Sequence, residues 1–163
     1  MMLGGVGAAL TQSNSVGKSG LPLPRFVSLK SGKVNMRVGP GPQYQLAWQY
    51  SKRGLPVEII QEFENWRKVR DPNGDEGWIF HSLLTGKRTA IVKPWESDKE
   101  TGRTRLHNDS NASSKIVAEI EPSVVVDVVS CDPVWCQIEA SDVTGYVEKT
   151  NLWGVYPDEQ IEE

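Results

Sequence analysis

Apolar positions along this chain come in short runs and alternations that glycine, proline and aspartate interrupt, and no segment longer than one turn has helical periodicity. Residues 26–29 read as a short strand. Val34, Met36 and Val38 alternate with Asn35 and Arg37, and that run stops at Gly39-Pro40-Gly41-Pro42, a strong loop signal. Strands are predicted over 46–51 and 55–63, with a turn at Arg53-Gly54 between them. Residues 66–70 alternate about Trp66, and Asp71-Pro72-Asn73-Gly74 predicts a hairpin turn into a strand over 77–80. Residues 81–84 predict a single 3₁₀ turn. Strands are predicted again over 89–92, 116–120, 124–129, 135–139 and 145–148, and the polar stretch 93–105 reads as a long loop or exposed hairpin. The pattern predicts an all-β fold of small barrels.

The pattern also repeats. GWIFHSLLTG at 77–86 answers to GYVEKTNLWG at 145–154, and each follows a tryptophan-centred strand. Trp66 and Trp135 are 69 residues apart and Gly77 and Gly145 are 68 apart, so the register holds within one gap. A chain of 163 residues therefore divides into a first barrel over 25–87 and a second, divergent one over 88–156. Residues 1–24, rich in glycine and serine, read as a disordered leader or signal remnant, and 157–163 as an acidic tail that frays.

Charge separates the two units. The net charge is -3, but residues 25–90 carry +5 and residues 91–163 carry -9. One reading is a basic unit that faces an anionic partner; the other is two units docked on each other through opposite charge. Nucleic acid is disfavoured, because the basic residues form no stripe and the acidic unit would repel phosphate.

The only cysteines, Cys131 and Cys136, flank an Asp-Pro turn across which two Cβ atoms can approach bridging distance. A disulfide suits an oxidising compartment, and the alternative is two reduced thiols on a hairpin. No stretch reaches the length of a transmembrane helix. The small, apolar start MMLGGVGAAL lacks a basic n-region, so it reads either as the tail of a signal or as a leader. Together with the paired cysteines it favours a periplasmic or otherwise exported protein.

In order and spacing, Val34-Asn35-Met36-Arg37, Gly39-Pro40-Gly41, the strand Val57-Glu58-Ile59, Trp66-Arg67-Lys68-Val69 and Gly77-Trp78-Ile79 resemble the bacterial SH3-like (SH3b) domain over about residues 26–86. WIFHSLLTGKRTAIVKPW, a WC strand and a LWGVYP ending are similar to an exported two-repeat SH3-like family of Gram-negative bacteria. The resemblance implies two five-stranded barrels, and noncatalytic roles in binding peptidoglycan or other proteins. The second copy keeps Trp135, Gly145 and Leu152-Trp153-Gly154 but has Arg105-Leu106-His107 and Asn111-Ala112-Ser113 in place of the Asn-x-Arg and Gly-Pro-Gly elements.

Tyr44, Trp48 and Tyr50 follow the Gly-Pro-Gly-Pro loop, and Trp48 and Tyr50 share a strand face. Aromatics with one wet edge suit sugar rings or peptide side chains, and Arg37 adds a planar donor fork for a carboxylate. The alternative puts Trp48 in the core with Tyr44 covering the barrel end. Trp66 and Trp78 read as core residues, and Trp153 as a seal on the second barrel. No catalytic set is visible: both cysteines lie in one hairpin, and the His81-Ser82 neighbour pair makes no charge relay. No spacing suits a metal, and no cofactor is called for. The expectation is a noncatalytic envelope module that binds peptidoglycan or its peptide stem through Arg37, Tyr44, Trp48 and Tyr50. The alternative is an adaptor for an extended peptide or an envelope protein.

Overall fold

The computed structural model describes residues 15–93, 99 and 101–163, so the middle of the polar stretch 93–105, Trp95 included, lies outside the described residues. Strand follows strand along the chain: β1 (Ser15–Val16), β2 (Pro22–Leu23), β3 (Arg25–Leu29), β4 (Val34–Arg37), β5 (Leu46–Tyr50), β6 (Pro56–Phe63), β7 (Trp66–Arg70), β8 (Glu76–Phe80) and β9 (Leu84–Thr85). The second series is β10 (Thr89–Val92), β11 (Thr104–His107), β12 (Ile116–Ile120), β13 (Val125–Cys131), β14 (Trp135–Ala140), β15 (Val143–Glu148) and β16 (Leu152–Trp153). Single 3₁₀ turns, His81–Leu83 and Lys149–Asn151, precede β9 and β16.

The two series form two sheets of one topology. The first runs β5-β4-β8-β7-β6-β3-β9 and the second β12-β11-β15-β14-β13-β10-β16, which is the same order of first to seventh strand. Each sheet has seven segments where the resemblance implied five; the closing piece β9 joins β3 through Ser28–Thr85 and Leu29–Leu84, and β16 joins β10 in the same way. Alternation along the strands builds one core inside each sheet. Val34, Met36, Val57, Ile59, Val69 and Ile79 are buried in the first, and Leu106, Val126, Ile138, Val147 and Leu152 in the second.

The repeated glycines have one structural cause. A Cβ on Gly77 would lie 2.5 Å from Met36 Cγ and 3.0 Å from Arg37 O, and one on Gly145 would lie 2.6 Å from Leu106 Cγ and 2.7 Å from His107 O. In each barrel the sixth strand crosses the second so closely that only glycine fits.

The barrels touch. Phe26 sets its ring edge-on to Trp153, with centroids 5.1 Å apart, and tilts against Tyr156 at 4.5 Å, while Arg88 lies over its face. Thr89 Oγ1 donates to Gly54 O at 2.6 Å, Lys52 Nζ donates to Ser123 O at 2.9 Å, and Lys87 pairs with Asp127 at 3.2 Å. Aromatic contact and hydrogen bonds thus join the units alongside the exposed Lys87–Asp127 pair, which contributes little by itself. Trp153, expected to seal the second barrel, sits at this junction.

Both ends of the described chain are more ordered than the composition predicts. The disorder expected for 1–24 does not reach its last residues, since β1 pairs with β2 and Ser19 Oγ donates to Glu62. The acidic tail does not fray. Ile161 pairs with Cys131 through both backbone bonds, Lys149 Nζ donates to the carbonyls of Pro157 and Glu159, and Glu159 accepts both terminal nitrogens of Arg88 at 2.7 Å. The buried cation Lys149 and the apolar Ile161 hold a segment whose charge alone argues for solvent. Cys131 and Cys136 face each other across β13 and β14 and form a disulfide.

Candidate functional site

The candidate residues sit on the β4–β5 hairpin at the free edge of the first sheet. Its loop closes on itself: Gly41 N–H donates to Gly39 O, Tyr44 N–H to Gly41 O and Val38 N–H to Gln45 O. The Tyr44 ring lies against Gly39, where any Cβ would stand 2.4 Å from it. Glycine is needed there because an aromatic ring covers the backbone. Arg37 Nη1 donates to Tyr44 O at 3.0 Å, so this guanidinium braces the loop.

The hairpin leaves a cluster of large apolar side chains in water: Val38, Tyr44, Leu46 and Trp48 are 59%, 41%, 44% and 60% exposed. Trp48 pairs with Met36 and Tyr50 with Val34, so the two aromatics do share a face. The core covers only one of them. Tyr50 is buried and donates its hydroxyl to Asp71 Oδ2 at 2.8 Å. Burial, then that hydrogen bond, then the charges of Asp71 and Asp75 push the phenol well above the usual tyrosine range, which keeps it a donor. The expectation that Tyr50 presents its ring to a ligand is therefore corrected: it is a core residue that holds Asp71 beside Trp48. The opposite alternative, a core Trp48, fails on its exposure.

Asp71 was read as a turn former, and the structure gives it more to do. Its Oδ1 accepts the N–H groups of Asn73 and Asp75 at 2.9 and 3.0 Å, and its side chain is almost wholly enclosed. A groove of about 390 Å³ runs from Trp48 over Tyr50 and Asp71 to Asp75, with Ile91 and Ser123 of the second barrel on its far side. Sequence reading placed the aromatics but missed this wall, because it depends on how the second barrel docks.

The second barrel repeats the loop without its aromatics, although Ile116 and Val117 on β12 are exposed. Asn111 N–H donates to Asp109 O and Ser114 N–H to Asn111 O, as at Gly41 and Tyr44, and His107 Nδ1 lies 3.2 Å from Ser114 O as Arg37 lies near Tyr44 O. The backbone motif survives the change of sequence. In the place of Tyr44 stands Ser114, and opposite Leu106, where Trp48 faces Met36, stands Ala118.

Four basic residues of the first unit are paired within it, while Lys30, Lys33, Arg37, Lys52 and Arg53 enter no ion pair among the described residues. Arg25 and Arg67 pair with Glu62, Arg70 with Glu58 and Glu76, and Lys68 with Glu76. Trp78 is buried, while Trp66 is half-buried and packs edge-on to Phe80 at 5.5 Å. His81 is exposed at the closing turn. Among the described residues no group of His, Cys, Asp and Glu converges to hold a metal, and no helix is long and apolar enough to cross a membrane.

Comparison with known proteins places these features. Among solved structures, the chain is similar to NlpC2 of Trichomonas vaginalis, with 11% identity and a TM-score of 0.35 over 80% of this chain and 48% of that one. NlpC1 of the same organism gives 13% identity and 0.34 over 88% and 50%. An NlpC/P60 family protein of Bacillus cereus ATCC 10987 gives 12% and 0.34 over 78% and 55%. The chain spans about half the length of these structures. No curated protein matches it. The family profile described as bacterial SH3 domain matches residues 30–86 and again 103–154, which hold six of the seven strands of each sheet. With more than half of its length in those two matches, the chain belongs to the bacterial SH3 domain family.

Proposed function

We propose that this protein is a noncatalytic, exported binding module whose first barrel engages peptidoglycan or its peptide stem. The observation that carries the reading is the exposed cluster Val38, Tyr44, Leu46 and Trp48, on a hairpin braced by Arg37 and by the Tyr44 ring over Gly39. Several large apolar side chains exposed on one braced hairpin mark an interaction site. Stacked rings give contact area at low entropy cost, as a saccharide or a short peptide requires. The disulfide supports an oxidising location. The second barrel, with Ser114 and Ala118 at the corresponding positions, acts as a buttress for the first.

A second reading has its own observation. β5 is a free sheet edge, which can pair with an extended segment of another protein. The test is co-sedimentation of the full chain with isolated sacculi at low and moderate salt, wild type beside Tyr44→Ala and Trp48→Ala. Binding that either substitution removes, with the fold intact, supports the wall-binding module. Absence of binding at both salts moves the assignment to a protein partner, to be sought by crosslinking in the envelope.

A further inference from the structure

We propose that the groove between Trp48 and the Asp71–Asp75 turn takes a primary alkylammonium group, the side-chain amine of a lysine or diamino acid carried on a peptide. The proposal rests on the reading of the first barrel as a binding module, and it names the chemistry that barrel selects.

Charge makes the argument. Glu58, Glu62 and Glu76 of the first barrel all pair with arginine or lysine. Asp71 and Asp75, like Glu64, take part in no ion pair among the described residues. Asp71 is 5% exposed, and each of its hydrogen bonds comes from a neutral donor, the Tyr50 hydroxyl or the backbone N–H groups of Asn73 and Asp75. A buried carboxylate without a counter-cation is unusual, since burial weakens its hydration and hydrogen bonds replace only part of it. Asp75, exposed four residues along, adds a second negative charge on the same wall. The lining has one cation, Lys52, whose Nζ is engaged at Ser123 O on the opposite side. The groove therefore has an acidic end inside a unit that is basic overall.

Shape and surface complete the case. A lining indole that is 60% exposed offers a face for an ammonium and cover for its methylene stem. Leu55 and Ile91 supply apolar wall. A volume of about 390 Å³ falls within the range of small-ligand sites. A carboxylate ligand would meet two like charges here, and a neutral sugar would leave both uncompensated.

The probe is Nα-acetyl-lysine methylamide, titrated into the ¹⁵N-labelled full chain beside its Nε-acetylated analogue. Saturable shifts are expected at the Trp48 indole and the Asn73 amide. Binding of the acetylated analogue should be about tenfold weaker. Asp75→Asn, whose side chain carries no hydrogen bond of the turn, should weaken the free amine by about three- to tenfold with the fold unchanged. Equal binding of both probes, shifts confined to other surfaces, or no saturable shift with the free amine would overturn the proposal. Sacculi with their amines acetylated separate it from wall binding as such. If native and acetylated sacculi bind alike, and Trp48→Ala abolishes both, the module binds the wall but the groove does not read amines. If neither sediments with the protein while the lysine probe binds selectively, the amine site stands and its source is a protein.

Discussion

The phenol of Tyr156 donates to Glu58 Oε2 at 2.7 Å and so ties the segment after the second barrel to the middle of the first. The other carboxylate oxygen of Glu58 accepts from Arg70 at 3.0 Å, and the Tyr156 ring rests on Phe26. Burial, then the bond to Glu58, then nearby negative charge push this phenol far above the usual tyrosine range, so it remains a donor at any physiological pH. Tyr156→Phe keeps the ring contact and strands one carboxylate oxygen. The expected loss is about 1–3 kcal/mol, seen as a lower denaturation midpoint at unchanged slope. An unchanged midpoint would mean that the junction rests on the rings of Phe26, Trp153 and Tyr156 alone.

Glu159 gives the tail a dependence on pH. Burial is the largest influence on its carboxyl and raises its pKa, but the hydrogen bonds and charge of Arg88, with the Tyr156 N–H and Lys149, outweigh burial and hold the group below its ordinary value of 4.5. A folded value below the unfolded one means that the contribution is whole above pH 4.5 and is lost as pH falls toward the depressed folded value. Protection of the Ile161 amide, bonded to Cys131 O, measured as its exchange rate against the intrinsic rate at each pH, should fall across that acid window. In Glu159→Gln it should be low already at neutral pH and lose its acid step.

The disulfide and the tail are coupled through Cys131, whose N–H and C=O both bond to Ile161. A cross-link over a separation of five residues removes little chain entropy, on the order of 2 kcal/mol. Replacing both cysteines by serine should lower Tm by several degrees and loosen Ile161 more than the core amides of the first barrel. Equal loosening throughout would refute a local role.

How much of this was legible in sequence follows from what each residue depends on. Gly77 and Gly145 could be paired from the offset alone, because the close crossing that excludes a Cβ is made within each repeat. Alternation located the strands for the same reason, and it put Trp48 and Tyr50 on one face. It could not say that the core covers only Tyr50, since β5 is an edge strand that runs past its cover. Asp71 read as a turn former; its enclosure depends on Tyr50 reaching it from 21 residues away. Nothing in the local sequence marks Lys149 for burial, and it is buried because the tail carbonyls of Pro157 and Glu159 fold back onto it. Period and turn chemistry reveal strands and turns, whereas side-chain contacts made far along the chain, between the repeats or from the tail have no local signature.

Gly77→Ala and Gly145→Ala test that shared crossing. Each places a methyl group within 2.5–2.7 Å of the facing strand, against Met36 Cγ in one barrel and Leu106 Cγ and His107 O in the other. Overpacking of this kind costs about 1–3 kcal/mol. The effect should be larger at Gly145, where the backbone oxygen at 2.7 Å cannot rotate away as the Met36 side chain can. Equal costs, measured by denaturant titration, would show that the flexible methionine relieves nothing.

Trp48 and Tyr50, two residues apart on one strand, should respond to mutation in opposite ways. Trp48 is 60% exposed, so Trp48→Ala should change stability by no more than about 0.5 kcal/mol while it removes ligand binding. Tyr50→Phe deletes the hydroxyl that Asp71 accepts and leaves a buried carboxylate oxygen short of a donor, for a loss of about 1–3 kcal/mol. Its hydroxyl is committed to Asp71, so binding should weaken as far as Asp71 shifts. A Tyr50→Phe variant with wild-type stability and no binding would reverse these roles and make the phenol itself part of the recognition surface.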